Sequence, residues 1–368
     1  MNILFTCGGT AGHINPAVAL ARMFQERVPD CRVLFVGADG GMETRLVPQE
    51  GFDLKTVTIT SFYRSLSPAA IKHDLVTLVN LSRSRRQAAA ILDEFKPDLV
   101  VGTGGYASFP VVRAAARRGI PTAVHESNAV PGLTTRALAK VVDVVMVGFE
   151  ASRAHYDDPN KVVVTGTPVR GDFFRYTRQQ ARAELGLTDD KPLLVSFFGS
   201  LGAEVMNGYM GEFFRLEREN GFPFHHIHGA GRNHDAMKAD CPDEIDLRPY
   251  IYDMPLVCAA ADLVICRAGA STIAELAAIS KPAILVPSPN VTADHQTKNA
   301  KILADQGGAV LLPEKDCSGQ ALYDAAAAIL NDPQRRDGMV RALNSQSVPD
   351  AAEKIYQVLN EIMTKDKR

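Results

Sequence analysis

Asp98-Leu99-Val100-Val101-Gly102-Thr103-Gly104-Gly105-Tyr106 runs from an apolar strand into a glycine-rich turn, and one helix length later Pro121-Thr122-Ala123-Val124 begins a second strand. Strands buried on both faces read as continuous apolar runs, and a helical crossover between two of them is the parallel β-α-β unit. The unit returns in the second half, where Asp262-Leu263-Val264-Ile265 leads through a glycine-containing loop and a helix to Pro282-Ala283-Ile284-Leu285-Val286. Two copies at similar places imply two α/β domains of one architecture, each a parallel sheet covered by helices on both faces. Buried strands draw on few residue types, so a chance likeness is the competing explanation.

Outward from these units the alternation continues. Strands are predicted at Asn2–Cys7, Arg32–Val36, Asp98–Gly102, Pro121–His125 and Val142–Val147, then at Pro192–Phe198, Phe222–His228, Asp262–Cys266, Pro282–Val286 and Ala309–Leu311. Helical periodicity fills the gaps, as in Pro16–Arg27 and Gln320–Leu330. A chain of 368 residues suits two cores better than one. Glycine and proline interrupt regular structure at Gly166-Thr167-Pro168-Val169-Arg170-Gly171, which places the joint there. The expected domains are therefore 1–168 and 169–347, with an amphipathic helix in 348–368 free to cross back onto the first.

The formal net charge of -2 argues against a dedicated nucleic-acid binder. Cys7, Cys31, Cys241, Cys258, Cys266 and Cys317 show no C-x-x-C spacing and read as reduced, mostly buried thiols of a cytosolic protein. Met1-Asn2 runs straight into a strand, so no secretory leader is expected. No uncharged apolar run reaches the roughly 18 residues of a membrane span, which leaves only peripheral membrane contact.

Three strand-to-helix loops are glycine-rich: Gly8-Gly9-Thr10-Ala11-Gly12-His13, with Pro16 expected to open the helix, Gly102–Tyr106, and Phe198-Gly199-Ser200-Leu201-Gly202-Ala203. Glycine lets backbone N–H groups approach an anion, and a helix N-terminus adds positive potential. Sharp turns in any parallel sheet also need glycine, which is the plainer account. A dinucleotide dehydrogenase is disfavoured because no G-x-G-x-x-G follows the first strand. In Cys266-Arg267-Ala268-Gly269-Ala270-Ser271-Thr272-Ile273-Ala274-Glu275 a helix should begin near Ser271. Glu275 then either accepts hydrogen bonds from ribose hydroxyls or closes a capping box with Thr272.

Gly8–His13, Gly104-Gly105-Tyr106-Ala107-Ser108-Phe109-Pro110, His125-Glu126-Ser127-Asn128-Ala129-Val130-Pro131-Gly132 and Gly269–Glu275 together resemble the MurG family of bacterial transferases, in the family's order and over nearly the whole chain. The resemblance implies a GT-B fold: two Rossmann-like domains with parallel sheets and an inter-domain cleft, the donor mostly on the second domain. It implies inverting transfer of N-acetylglucosamine from UDP-N-acetylglucosamine to undecaprenyl-diphosphate-linked N-acetylmuramoyl pentapeptide, the step from lipid I to lipid II. It also implies a peripheral enzyme at the cytoplasmic face of the cell membrane, with no cofactor. By position, Thr10, Ala11 and Gly12 would lie at the donor sugar and acceptor, Asn128 at the sugar, and Arg170 and Ser200 at the diphosphate. Ile251 would meet uracil through its backbone; Ala270, Ser271, Thr272, Ile273, Ala274 and Glu275 would bind pyrophosphate and ribose, and Gln296 the sugar hydroxyls. The chain departs from the family at Ala11 and Ser127, usually glycine and glutamine, at Thr167, usually asparagine, and at the third loop, where Leu201 replaces a glutamine.

An attacking sugar hydroxyl must lose a proton, and His13, with an ordinary pKa near neutrality, is the first candidate base; Glu126 is the second. No Asp-x-Asp occurs, so helix N-termini with Arg170 are expected to stabilise the leaving diphosphate in place of a carboxylate-held metal. His225, His226 and His228, with His234 beyond, read as a strand edge, a metal site being the alternative. In Ile71–Arg86, Ile71, Leu75, Leu78, Val79 and Ser82 share a helical stripe continued by Arg85 and Arg86. It either packs on the first sheet or, with Lys72 and Arg83, docks on an anionic membrane surface. Competing functions are a glycolipid synthase, a UDP-sugar 2-epimerase and a non-catalytic nucleotide-sugar binder.

Overall fold

The computed structural model describes residues 1–59, 68–199, 201–346, 348 and 350–365, and leaves aside the side chains at 68–79, 81, 292, 346 and 365. The chain divides into two compact units, Met1–Arg170 with Asp350–Arg368, and Gly171–Pro349.

The first unit holds a seven-stranded sheet: β1 (Asn2–Thr6), β2 (Arg32–Ala38), β3 (Asp53–Val57), β4 (Leu99–Gly102), β5 (Thr122–Glu126), β6 (Val144–Val147) and β7 (Val162–Val164). Their spatial order is 3-2-1-4-5-6-7 and every pairing is parallel. The second unit holds β8 (Leu193–Phe197), β9 (His225–Gly229), β10 (Ile245–Arg248), β11 (Leu263–Cys266), β12 (Ala283–Leu285) and β13 (Ala309–Leu311), in the order 10-9-8-11-12-13, again all parallel. Both are doubly wound Rossmann-type sheets. The two quoted sequence units are β4–β5 and β11–β12, which occupy equivalent places in the two sheets. An aspartate marks each place: Asp98 Oδ2 accepts the Asn2 N–H and Asp262 Oδ2 the Leu193 N–H, both at 2.8 Å. The likeness is therefore architectural.

Alternation along β1 sends Ile3 and Phe5 to one face and Leu4 to the other. The first face is closed by Leu20 and Phe24 of the helix Ala11–Arg27 and by Ile355 and Leu359 of the last helix, Ala351–Lys365. Burying each such side chain contributes roughly 1.5–3 kcal/mol, enough to hold a chain terminus on a distant sheet. Arg27 adds an ion pair to Glu353 and lies over the Tyr356 ring.

Three strands were not predicted: β3, β7 and β10. The helix after β1 begins at Ala11, so Pro16 falls in its second turn and does not open it. Its missing N–H leaves the Gly12 carbonyl without the usual partner four residues on. All six cysteines are free and four are buried. Burial pushes the Cys258 thiol up to about 12 and holds Cys7 and Cys266 higher still, so none of these three offers a ready thiolate. Among the described residues no helix is long and apolar enough to cross a membrane.

Candidate functional site

In a doubly wound sheet the strand order reverses beside the first strand, and loops at the carboxyl ends of the two strands there diverge to leave a binding crevice. In the first unit those strands are β1 and β4, followed by Gly8–His13 and Thr103–Tyr106. In the second they are β8 and β11, followed by Phe198–Ala203 and Arg267–Gly269. Every glycine-rich loop singled out from the sequence lies at one of these two reversal points.

The two loops of the first unit touch. A Cβ on Gly105 would come 2.4 Å from the Gly8 carbonyl oxygen, and one on Gly104 2.5 Å from the His13 ring; both glycines have positive φ, +87° and +116°. Thr103 Oγ1 donates to the His13 carbonyl at 2.7 Å. Thr10 is the N-cap of the helix, and Ala11, Gly12 and His13 form its first turn. The His13 Nδ1 lies 2.8 Å from the Gly8 carbonyl oxygen and 3.3 Å from Thr10 Oγ1. A carbonyl can only accept, so Nδ1 carries the proton and the lone pair of the neutral ring sits on Nε2.

The Gly9 N–H, offered to an anion in the sequence reading, is already taken. Glu43 Oε2 accepts it at 3.0 Å while Oε1 accepts the Ala38 N–H at 2.7 Å. Glu43 is fully buried and escaped the sequence analysis, since nothing in Met42-Glu43-Thr44 signals a contact 34 residues away.

Glu126, at the end of β5, spends its carboxylate on its own loop. Oε1 accepts from the Asn128 N–H at 3.1 Å and Nδ2 at 2.9 Å, and Oε2 accepts from the Gly132 N–H at 3.0 Å. That carboxylate shapes the loop. His125 donates from Nε2 to the Gly166 carbonyl at 2.9 Å, and burial lowers its pKa. Arg170 is half-buried at the end of the first unit.

In the second unit Ser200 lies outside the described residues. Its loop packs on Ala230-Gly231: a Cβ on Gly202 would sit 2.4 Å from the Ala230 carbonyl oxygen, and the Arg232 N–H donates to Leu201 O at 3.0 Å. Leu201 holds the loop through its backbone and leaves its side chain half exposed. Arg267 lies over the Phe198 ring, donates to the Val286 and Pro287 carbonyls, and pairs with Glu314, joining the loops after β8, β11, β12 and β13. Helix Ala270–Ala278 has Gly269 as N-cap, so Thr272 is its third residue and cannot cap it. The capping-box account of Thr272 and Glu275 fails, and Glu275 stands half-buried at the sixth helical position.

Ile251 is buried against Gly229, between the exposed Tyr250 and Tyr252. Gln296 Oε1 accepts the Ser288 N–H at 2.8 Å and so braces the loop after β12. Just before it Ala293 and Asp294 hold φ of 56° and 51°, a left-handed pair costing about 1–2 kcal/mol per residue. Strain of this kind concentrates at functional sites.

The histidine cluster is not a strand edge. β9 lies inside the sheet between β8 and β10. His226 and His228 belong to a buried polar chain: Glu217 accepts from His226 Nδ1 at 2.9 Å, Ser196 Oγ lies 2.7 Å from both rings, and His228 Nε2 reaches Asn207 Oδ1 at 3.3 Å. Among the described residues no group of three or more His, Cys, Asp or Glu could hold a metal ion. Burial, then His226, lowers the His228 pKa to about 3. The unfolded chain binds that proton below about 6.5 and the native ring refuses it. Stability is therefore expected to fall as pH drops from 6.5 toward 3, by up to about 1.4 kcal/mol per pH unit from this residue. Urea unfolding at pH 7 and 5 measures the slope, and His228→Gln should flatten it.

Of the stripe in Ile71–Arg86, the side chains of Ile71, Lys72, Leu75, Leu78 and Val79 lie outside the described residues. The rest of helix Pro68–Phe95 buries Ser84, Ala88, Ile91 and Leu92 on one face and leaves Ser82, Arg83, Arg85 and Arg86 exposed.

Residues 3–147 match the glycosyltransferase family 28 N-terminal domain, and residues 193–355 the glycosyltransferase family 28 C-terminal domain. Two relatives carry the name UDP-N-acetylglucosamine–N-acetylmuramyl-(pentapeptide) pyrophosphoryl-undecaprenol N-acetylglucosamine transferase. That of Acetivibrio thermocellus is 41% identical over 99% of this chain and 98% of its own length. That of a Thermoanaerobacter species is 42% identical over 98% of this chain and all of its own. The crystal structure of Acinetobacter baumannii MurG superposes with a TM-score of 0.76 at 28% identity, covering 98% of this chain and 99% of that one. A UDP-GlcNAc 2-epimerase from Neisseria meningitidis shares the fold at 14% identity, with a TM-score of 0.67 over 98% of this chain and 100% of that one.

Proposed function

From a chain that belongs to glycosyltransferase family 28, we infer the transfer of N-acetylglucosamine from UDP-N-acetylglucosamine to undecaprenyl-diphosphate-linked N-acetylmuramoyl pentapeptide, the step from lipid I to lipid II in peptidoglycan synthesis. The observation that carries this is 41% identity, running nearly end to end, with a transferase of that name. The 2-epimerase likeness, at 14% identity, concerns the fold alone.

The acceptor hydroxyl oxygen attacks the anomeric carbon, the bond from that carbon to the diphosphate oxygen breaks, and UDP leaves with the electron pair. The hydroxyl proton goes to His13 Nε2, whose lone pair is left free by the bond from Nδ1 to Gly8. Thr10, Ala11 and Gly12 border the reacting sugar beside this base, with Asn128 on the neighbouring loop. The second unit takes the donor: Ile251 meets uracil, Ala270–Glu275 takes pyrophosphate and ribose, and Gln296 the sugar hydroxyls. Support comes from the N-terminus of helix Ala270–Ala278, whose N-cap Gly269 has no side chain to cap it, and from Thr272 being the third helical residue, which leaves no capping box with Glu275. The family resemblance assigns Arg170 and Ser200 to the diphosphate. The acceptor's lipid tail requires a peripheral position on the cytoplasmic face of the membrane. Arg83, Arg85 and Arg86, exposed off the packing face of their helix, support docking there and add about 1 kcal/mol each near anionic lipid.

Purified protein incubated with UDP-N-acetylglucosamine and a short-chain lipid I analogue is expected to give a product heavier by one N-acetylhexosamine, with UDP released. Full chelation should leave the rate unchanged. Conversion of the donor to its 2-epimer, or no product at all, would overturn this reading.

A further inference from the structure

We propose that Glu43 fixes the proton of His13 through one shared peptide group and so acts as a positioning residue for the base; the proposal rests on His13 serving as proposed above. The Gly8 carbonyl and the Gly9 N–H are the two ends of a single peptide. Glu43 Oε2 accepts from that N–H at 3.0 Å, and the carbonyl accepts from His13 Nδ1 at 2.8 Å. The series runs carboxylate, peptide, imidazole. A carboxylate on the N–H side polarises the amide and makes its oxygen a stronger acceptor, since consecutive hydrogen bonds reinforce one another in a poorly screened interior. The Nδ1 proton is held more firmly, Nε2 keeps the lone pair, and the imidazolium formed after proton transfer is stabilised.

The fold reserves space for this arrangement. Cβ atoms on Gly8, Gly37 and Gly41 would fall 2.2, 2.3 and 2.5 Å from the Glu43 side chain, so three glycines from two segments clear room for one carboxylate. The Ala38 N–H at 2.7 Å holds its second oxygen. Nearby ionisable groups are few. Cys7 adjoins Glu43 on the β1 side, its thiol pushed up by burial and by that carboxylate. Thr103-Gly104-Gly105, packed against His13, carries no ionisable side chain, and residues 10–16 carry none but His13 itself. On the Glu43 side, Asp39 bonds to Thr58 and Arg45 is exposed.

The test is nitrogen-15 histidine NMR on the full chain, joined to a pH profile of kcat/KM. In the wild-type protein neutral His13 should carry its proton on Nδ1; a proton on Nε2 overturns the proposal without any variant. In Glu43→Gln one amide hydrogen must face either the Gly9 or the Ala38 N–H. The expected result is a mixture of His13 tautomers, an acidic limb displaced down by about half a pH unit, and kcat lowered about tenfold with donor KM little changed. Glu43→Asp, which keeps the charge, should restore part of the limb. A folded Glu43→Gln protein with the wild-type tautomer and limb sinks the relay. Full turnover in His13→Ala would instead sink the catalytic assignment while leaving the tautomer result standing.

Discussion

His13→Ala is expected to lower kcat by about 10²–10⁴-fold while UDP-N-acetylglucosamine binds within a few-fold of its wild-type affinity. The prediction follows from how the ring is held. Its Nδ1 is committed to the Gly8 carbonyl, so only Nε2 can take a proton from a substrate hydroxyl. The alternative carboxylate, Glu126, accepts three hydrogen bonds from its own loop. Taking a further proton there would forfeit loop contacts, whereas His13 changes state without breaking its bond. Truncation removes one hydrogen bond on a half-buried side chain, worth about 1 kcal/mol, so the variant should fold. Single-turnover rates with a lipid I analogue, set against donor titration, separate the two effects. A variant that loses donor affinity in proportion to rate would mark His13 as a binding residue only.

Gly105→Ala should be the most damaging of the single-methyl changes in the first unit, costing about 2–5 kcal/mol and nearly all activity. Two penalties add. A side chain at φ +87° costs about 1–2 kcal/mol, as it would at any left-handed position. The new methyl would also sit 2.4 Å from the Gly8 carbonyl oxygen and 2.8 Å from the Gly8 nitrogen, and backbone cannot swing aside as a side chain can. Gly119→Ala is the matched control: its φ is +68° and nothing lies within 4 Å of the new carbon. It should cost only the conformational part, and leave turnover intact. Urea unfolding of the two variants reads the difference. Equal losses would mean that the β1 and β4 loops are not held in contact, and with them would go the geometry of His13.

The interior strands were legible because burial on both faces writes itself as a continuous apolar run: Leu4-Phe5, Leu99-Val100-Val101 and Leu263-Val264-Ile265 need no neighbour to be recognised. The three strands that escaped, β3, β7 and β10, all lie at sheet edges. There solvent permits Lys55 or Asp246, and pairing on one side only permits a length of three to five residues. β7, Val162-Val163-Val164, is as apolar and as short as the predicted edge strand β13, Ala309-Val310-Leu311, so for β7 composition does not account for the miss. The helix start was misplaced because proline favours a first turn on local grounds, whereas the helix begins at Ala11 and its first turn meets Thr103 and Gly104 of the loop after β4. The histidines of β9 look exposed in sequence because their partners Glu217, Ser196 and Asn207 lie on other elements.

By itself the sequence determined two parallel α/β halves, the glycine loops at their strand ends, and the residues that resemble a transferase family. Local patterning suffices for these, because apolar runs and turn residues act within a few positions of one another. Tertiary structure alone decided the strand order 3-2-1-4-5-6-7, which sets β1 beside β4 with Ile3 against Leu99, far apart in the chain. It also decided that Glu43 meets the Gly9 N–H, because β2 pairs with β1 and carries the next helix to the same end of the sheet. Hydrogen bonds and close backbone approaches depend on distance in space, and only the assembled sheet sets that distance.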